Sequence, residues 1–215
     1  MAESTPYEQL LEKIKRSEKL VGDLKRSERR LKRLNRVMRT IRSVNQLLAK
    51  EKDRHRLLQG VCDNIVENQG YYNAWVALLD GSGKLAAGAE SGLGKEFLPL
   101  VERFNRGEMT QCARRALEKP GVVLIQDPFS ECADCPLSKK YVGRSAITVR
   151  MEHDGKIYGI LSVSIPLEFA SDQEEHDLLE EVSGDIAFGL HTITLEEAHY
   201  RADEALRKSE QRFRD

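Results

Sequence analysis

Three of the four cysteines stand where thiols can do chemistry. Cys132 and Cys135 form a Cys-x-x-Cys pair, which supplies two ligands at metal spacing or a redox-active dithiol. Cys112 falls in the first turn of a helix expected over residues 111–118, where the helix dipole lowers a thiol pKa. The expectation is that Cys112, Cys132 and Cys135 converge at one end of a globular body and bind a metal or cluster, or form a redox-sensitive group. The alternative is inert thiols filling a loop-side hydrophobic pocket. The pair is only half of a zinc site, and Pro136 follows Cys135 where covalent haem attachment needs a histidine. Cys62 reads as ordinary helix core.

Other chemistry is weakly signalled. His55 and His199 lie on expected helix surfaces, His153 lies beside a turn, and His176 and His191 lie on a C-terminal helix. None pairs locally with a Cys or Ser nucleophile, so these histidines read as solvated or capping, and no catalytic constellation is expected. Gly81-Ser-Gly83 and Gly92-Leu-Gly94 sit in loops and are too short to cradle a phosphate.

The elements that must position these residues follow from proline placement and periodicity. After Pro6 there is no proline until Pro99, a run that permits very long helices. Thr5, Pro6 and Glu8 make a capping box with proline at the first helical position. Leu10, Ile14, Ser17, Val21, Leu24, Glu28 and Leu31 step by alternating four and three. Leu34, Met38, Ile41, Asn45 and Leu48 continue after a stammer that overwinds the supercoil locally. Such a helix is marginal alone, and a second copy has to bury its seam. From about residue 51 the apolar stripe widens through Leu57, Leu58, Val61, Cys62, Ile65 and Val66, as on a helix packed against a body, and Asn68-Gln69-Gly70 ends it.

Strands are expected over 71–79 and 84–90, joined at Asp80-Gly81-Ser82-Gly83, followed by helices over 95–105 and 111–118 and a short strand over 122–126. The second is capped by Thr110. A loop over 127–136 and a short helix from Pro136 lead to two strands, 145–152 and 156–166, around the hairpin signal Asp154-Gly155. Ser171-Asp-Gln-Glu174 is a second capping box, opening a helix with no breaker to the end of the sequence. Its apolar pattern thins toward Leu206 and Phe213. The order implies an α+β fold, an antiparallel sheet with helices packed on it, flanked by long N- and C-terminal coiled-coil helices. The expected divisions are a coiled-coil helix over 1–50, a body over 51–190 and a linker helix over 191–215.

Composition bounds the function. Of 215 residues 40% are hydrophobic, enough for a real core. Residues 8–42 carry a local charge of +8 inside a chain whose total is −1. The basic residues overlap the hydrophobic seam and do not form a separate arm, so a solvated helix surface is expected and nucleic acid is not. No stretch approaches a membrane span, and the N-terminus lacks the features of a secretory signal, so a cytoplasmic segment without membrane contact is expected.

Gly70-Tyr-Tyr-Asn-Ala-Trp-Val-Ala-Leu-Leu-Asp80 and Gly155-Lys-Ile-Tyr-Gly-Ile-Leu-Ser-Val-Ser-Ile-Pro166 resemble strands of a GAF domain, the second its last strand before the return helix. The resemblance covers roughly residues 50–190. Leu24-Lys-Arg-Ser-Glu-Arg-Arg-Leu31 resembles the helix leaving a PAS domain, and Ala205-Leu-Arg-Lys-Ser-Glu-Gln-Arg-Phe-Arg-Asp215 the helix entering the next one. The whole is similar to an interdomain segment of bacterial sensor histidine kinases, although no kinase motif is present. The resemblance implies a non-catalytic sensor, a homodimer through parallel helices, and PAS and kinase domains elsewhere in the parent chain, which could itself be membrane-anchored. It also implies a small-molecule pocket between the sheet and its connecting helices. Trp75, Tyr141 and Tyr158 are candidate walls, with core packing as the alternative. One GAF-like family reduces free methionine sulfoxide with cysteines, and that enzyme is the rival reading.

Overall fold

The computed structural model describes residues 6–132 and 134–212; the expected cap Thr5 and the apolar Phe213 lie outside them. The chain divides into two compact units, one up to Arg39 and one from Thr40 onward. Helix α1 (Pro6–Lys50) contributes to both. In the first unit Leu10, Ile14, Val21, Leu24, Leu31 and Leu34 are all exposed, so the apolar seam read from the sequence is bare on a single chain.

The second unit carries the sheet. Its strands are β1 (Asn73–Leu79), β2 (Leu85–Ser91), β3 (Val122–Ile125), β4 (Arg144–His153) and β5 (Lys156–Pro166), all antiparallel in the order β2-β1-β5-β4-β3. Asp154 and Gly155 both take positive φ, 50° and 74°, the turn that matches strand twist in a two-residue hairpin. One face of the sheet is covered by α2 (Arg54–Gln69) and α6 (Gln173–Arg212). The other carries α3 (Leu98–Asn105), α4 (Gln111–Glu118) and the very short α5 (Pro128–Glu131).

The end of α1 belongs to this unit. Thr40 and Val44 are fully buried, and Thr40 Oγ1 accepts a hydrogen bond from Gln69 Nε2 at 2.9 Å. Asn45, which the heptad pattern places in the seam, is exposed here. The last turns of α1 therefore bury Thr40 and Val44 against the body, and Leu48 of the seam also packs there, beside Gly189 of α6.

The sequence suggested no strong break between residues 6 and 68, yet α1 stops at Lys50 and α2 begins at Arg54. Asp53 makes the break. Its backbone is extended and its carboxylate accepts the Arg56 N–H at 2.9 Å, which caps α2. The joint is tied to α6 by Lys52 Nζ to Glu196 at 2.7 Å and Arg54 to Glu197 at 2.8 Å. These pairs are half exposed, so each contributes less than about 1 kcal/mol and serves mainly to set direction. At the other end of α6 the cap is Asp172, whose carboxylate accepts the Glu174 N–H at 3.1 Å, one residue beyond the expected Ser171. The buried Glu175 is held there by the Tyr71 hydroxyl.

Candidate functional site

The face of the sheet under α3 and α4 builds the site. On β1 the inward alternation brings Trp75 and Ala77 to this face, where Trp75 packs edge-on against Phe104 with ring centroids 6.1 Å apart and against Phe97 at 6.2 Å. On β5 Ser162 faces the same way, and its hydroxyl pairs with Thr148 of β4 at 2.9 Å. Ser164 sits one step further along the same face, opposite Asn73 and Ala146.

The segment over residues 127–141 lies across this floor. Asp127 caps α5 by accepting the Phe129 N–H at 3.2 Å, while Glu131 reaches back to the Asp127 N–H at 3.0 Å. Successive turns then bond Cys132 N to Pro128 O, Cys135 N to Cys132 O and Ser138 N to Cys135 O. Arg103 at the end of α3 fastens this loop. It donates to the Asp134 carbonyl at 2.5 Å and to its carboxylate at 2.8 Å. Tyr141 closes the segment and donates its hydroxyl proton to Asn73 Oδ1 at 3.1 Å.

Between floor and cover lies a cavity of about 20 Å³ lined by Trp75, Cys112, Cys132, Cys135, Tyr141 and Ser162 among others. That holds about one water. Five of the six residues singled out from the sequence thus meet at one place. Trp75 is 2% exposed, and its indole N–H has no hydrogen-bond partner. Its approach to the Tyr141 hydroxyl offsets part of the rise that burial imposes on that phenol, without the geometry of a full hydrogen bond. The hydroxyl of Ser164, fully buried on the same face, also lacks a partner. Buried donors are almost always satisfied, so an orphaned indole N–H facing a polarisable pocket is a feature that a bound group would complete.

All four cysteines are free. Burial pushes the Cys132 thiol up to about 12, helped by the neighbouring Cys112 and Cys135 sulfurs, and the Cys135 thiol up to about 11. Both are neutral thiols at physiological pH. The three sulfurs do not gather within 4.8 Å of one another among the described residues. A zinc ion holding three sulfurs at about 2.3 Å needs them about 3.8 Å apart. A shared metal therefore requires the loop to shift. Thr110 stands at the N-cap of α4 as expected, but its hydroxyl does not cap the helix and instead meets Cys112 Sγ at 3.2 Å.

Tyr158 is placed elsewhere. Strict alternation along β5 puts it beside Ile160 and Ser162, facing the pocket. The β4–β5 register shifts between Met151, opposite Gly159, and Glu152, opposite Ile157, so Tyr158 is the extra residue of a bulge. The bulge turns it to the α6 side, where its hydroxyl bonds His191 Nδ1 at 2.8 Å. His191 also lies against His153, with ring centroids 5.1 Å apart. No spacing in the sequence pairs these histidines: they are far apart in the chain, and the fold of the hairpin against α6 brings them together.

The family profile for the GAF domain matches residues 51–191, two thirds of the chain. The chain belongs to the GAF domain family. The matched span is the body just described, from the capped start of α2 to His191. GAF folds of known structure superpose on it. The free methionine-R-sulfoxide reductase of Neisseria meningitidis, solved with its substrate, is 17% identical with a TM-score of 0.54, covering 74% of this chain and 91% of that one. The GAF domain of A. aeolicus nlh2 in an inactive state is 13% identical with a TM-score of 0.55, covering 78% and 98%. The GAF domain of a Coxiella burnetii phosphoenolpyruvate-protein phosphotransferase is 15% identical with a TM-score of 0.54, covering 79% and 96%. At these identities the likeness is one of fold. No curated protein matches the chain by sequence. In this GAF domain no described helix is long and apolar enough to cross a membrane.

The raised thiols carry a prediction. A shift of Cys135 from 9.0 to about 11 leaves roughly 100-fold less thiolate at neutral pH, and the thiolate is the nucleophile. Iodoacetamide labelling of Cys135 at pH 7.5, followed by mass spectrometry, should be about 100-fold slower than in the urea-unfolded chain. Arg103→Ala should speed it by unfastening the loop and exposing Cys135, which outweighs loss of the nearby Arg103 charge. Equal folded and unfolded rates would contradict the burial.

Proposed function

We propose that this GAF domain is a non-catalytic sensory module of a signal-transduction protein, a sensor histidine kinase by resemblance. An event in the Trp75–cysteine pocket controls a downstream output domain through α6 and a dimer of α1 helices. The event is binding of a small molecule or metal, or a change in thiol oxidation. The observation that carries the reading is the Trp75 indole N–H, buried without a partner against three free thiols and Tyr141. The cavity holds about one water, so any larger occupant must displace the cover over 127–141, and occupancy is thereby linked to conformation. Strands β4 and β5 form the pocket floor on one side and pack against α6 on the other, which gives a short physical route to the helix. The bare apolar seam of α1 supports a second copy of the chain as its partner.

Trp75 is the one tryptophan of the chain, so its fluorescence reports the pocket alone. Oxidation by diamide under anaerobic handling, or titration with zinc, should change Trp75 emission in the native chain. The change should be absent in Cys132→Ser/Cys135→Ser. Emission unmoved by either reagent would remove the thiols from the input.

A rival enzymatic reading, a cysteine-dependent free methionine sulfoxide reductase, draws on the three thiols that line one pocket. The raised Cys132 and Cys135 thiols weigh against a resting nucleophile. Turnover of free methionine sulfoxide with a dithiol reductant would favour it over the sensor.

A further inference from the structure

We propose that His153, Asp154 and His191 form a binding site for a divalent first-row transition metal, zinc being the reference ion, which fastens the β4–β5 turn to α6. The site is separate from the cysteine pocket and lies on the opposite side of the sheet. One ligand atom from each of the three residues lies within 4.8 Å of the others, and among the described residues no other group of histidines, cysteines and carboxylates does so. His153 Nε2 and Asp154 Oδ2 are already 3.5 Å apart. A metal about 2.0–2.1 Å from each ligand, at tetrahedral angles, needs separations of about 3.4 Å. The Asp154 side chain is 80% exposed, so small torsions bring the set together.

The surroundings hold both rings in place. Phe188 packs edge-on against His153 with ring centroids 5.2 Å apart. The Tyr158 hydroxyl engages His191 Nδ1 at 2.8 Å, which leaves Nε2 as the free nitrogen. A hydrogen bond to the far nitrogen of a ligating histidine fixes its tautomer and ring orientation. Asp154 is held in the turn by its positive φ, and the adjoining Gly155 completes it. Two imidazoles and one carboxylate suit zinc, cobalt or nickel and leave a coordination position for water. Lys156, 4.7 Å from the centre of the Tyr158 ring, and Arg54, paired with Glu197, are the nearby cations. They oppose a metal ion and moderate its affinity.

The position gives the site a consequence. His191 is the last residue of the family match, where α6 leaves the body, and Glu196 and Glu197 one turn further on anchor the α1–α2 joint. A metal here would tie the hairpin to that exit and stiffen it.

The test is titration of the whole chain with Co²⁺, read by visible absorption and thermal melting. The expected result is one Co²⁺ per chain at this site, with a nitrogen–oxygen ligand spectrum beside any thiolate-to-cobalt charge-transfer band from the cysteine pocket, and a raised Tm. Both signals should persist in Cys112→Ser/Cys132→Ser/Cys135→Ser. His153→Ala and His191→Ala should each weaken binding at least 10-fold, and Tyr158→Phe about 10-fold. Asp154→Asn keeps the turn, since asparagine accepts positive φ, and should also lose affinity, so a folding defect cannot be the cause. Binding that is absent, that shows the thiolate band alone, or that survives in His191→Ala and Asp154→Asn would overturn the site.

Discussion

Gly159→Ala is expected to cost roughly 3 kcal/mol or more, the upper end of what point substitutions do, and to leave a chain that is largely unfolded near body temperature. Gly159 lies on the central strand of the sheet, β5, between β1 and β4. A methyl group there would stand 2.0 Å from the Ala77 carbonyl oxygen and 3.0 Å from Leu78 Cα, both backbone atoms of a paired strand. Neither can retreat without breaking the β1–β5 ladder, and φ of 153° adds to the strain. Gly189→Ala is the control. Its added methyl meets Leu48 Cδ2 at 2.3 Å, the far end of a flexible side chain. The gain of about 1 kcal/mol in helix propensity offsets part of the repacking cost of about 1–3 kcal/mol. Thermal melting of the two variants should separate them clearly. Equal midpoints would show that the β5 bulge is not rigid.

Leu24→Lys/Leu31→Lys is expected to convert a dimer into a monomer, with association weakened at least about 100-fold, because four charges would enter one seam in the assembled pair. On a single chain Leu24 is 70% exposed and Leu31 59% exposed, so the substitutions cannot disturb a folded protomer. Light scattering at micromolar concentration reads the mass directly. A native chain that is already monomeric would contradict the proposed dimer, and an unchanged dimer in the double variant would move its interface away from α1.

The sheet was legible in the sequence because its signals were local. The Asp154-Gly155 turn and the alternation along 156–166 fixed the last hairpin, and Pro120-Gly121 set the edge of β3. Trp75, Tyr141 and the three cysteines line one pocket because the loop after β3 folds back over the sheet, a path that no local signal in the sequence encodes. What escaped depended on single residues without periodicity. Asp53 ends a long helical pattern by capping the next helix, and nothing about an isolated aspartate in a charged stretch announces it. Tyr158 is a candidate pocket wall through the family resemblance, and one extra residue in β5 turns it to the other face. That same reversal brings Tyr158 to His191 and leaves His153 beside it, a meeting that no spacing in the sequence encodes.

The central claim is that an event at the cysteine pocket reaches the helix that leaves the body. Hydrogen exchange of the whole chain, measured by mass spectrometry before and after diamide oxidation and with Cys132→Ser/Cys135→Ser as control, tests it most directly. The account predicts altered protection in peptides from residues 127–141 together with altered protection in α6 beyond Ile193, both absent in the control. Changes confined to residues 127–141 and the strands beneath them, with α6 unmoved, would contradict it.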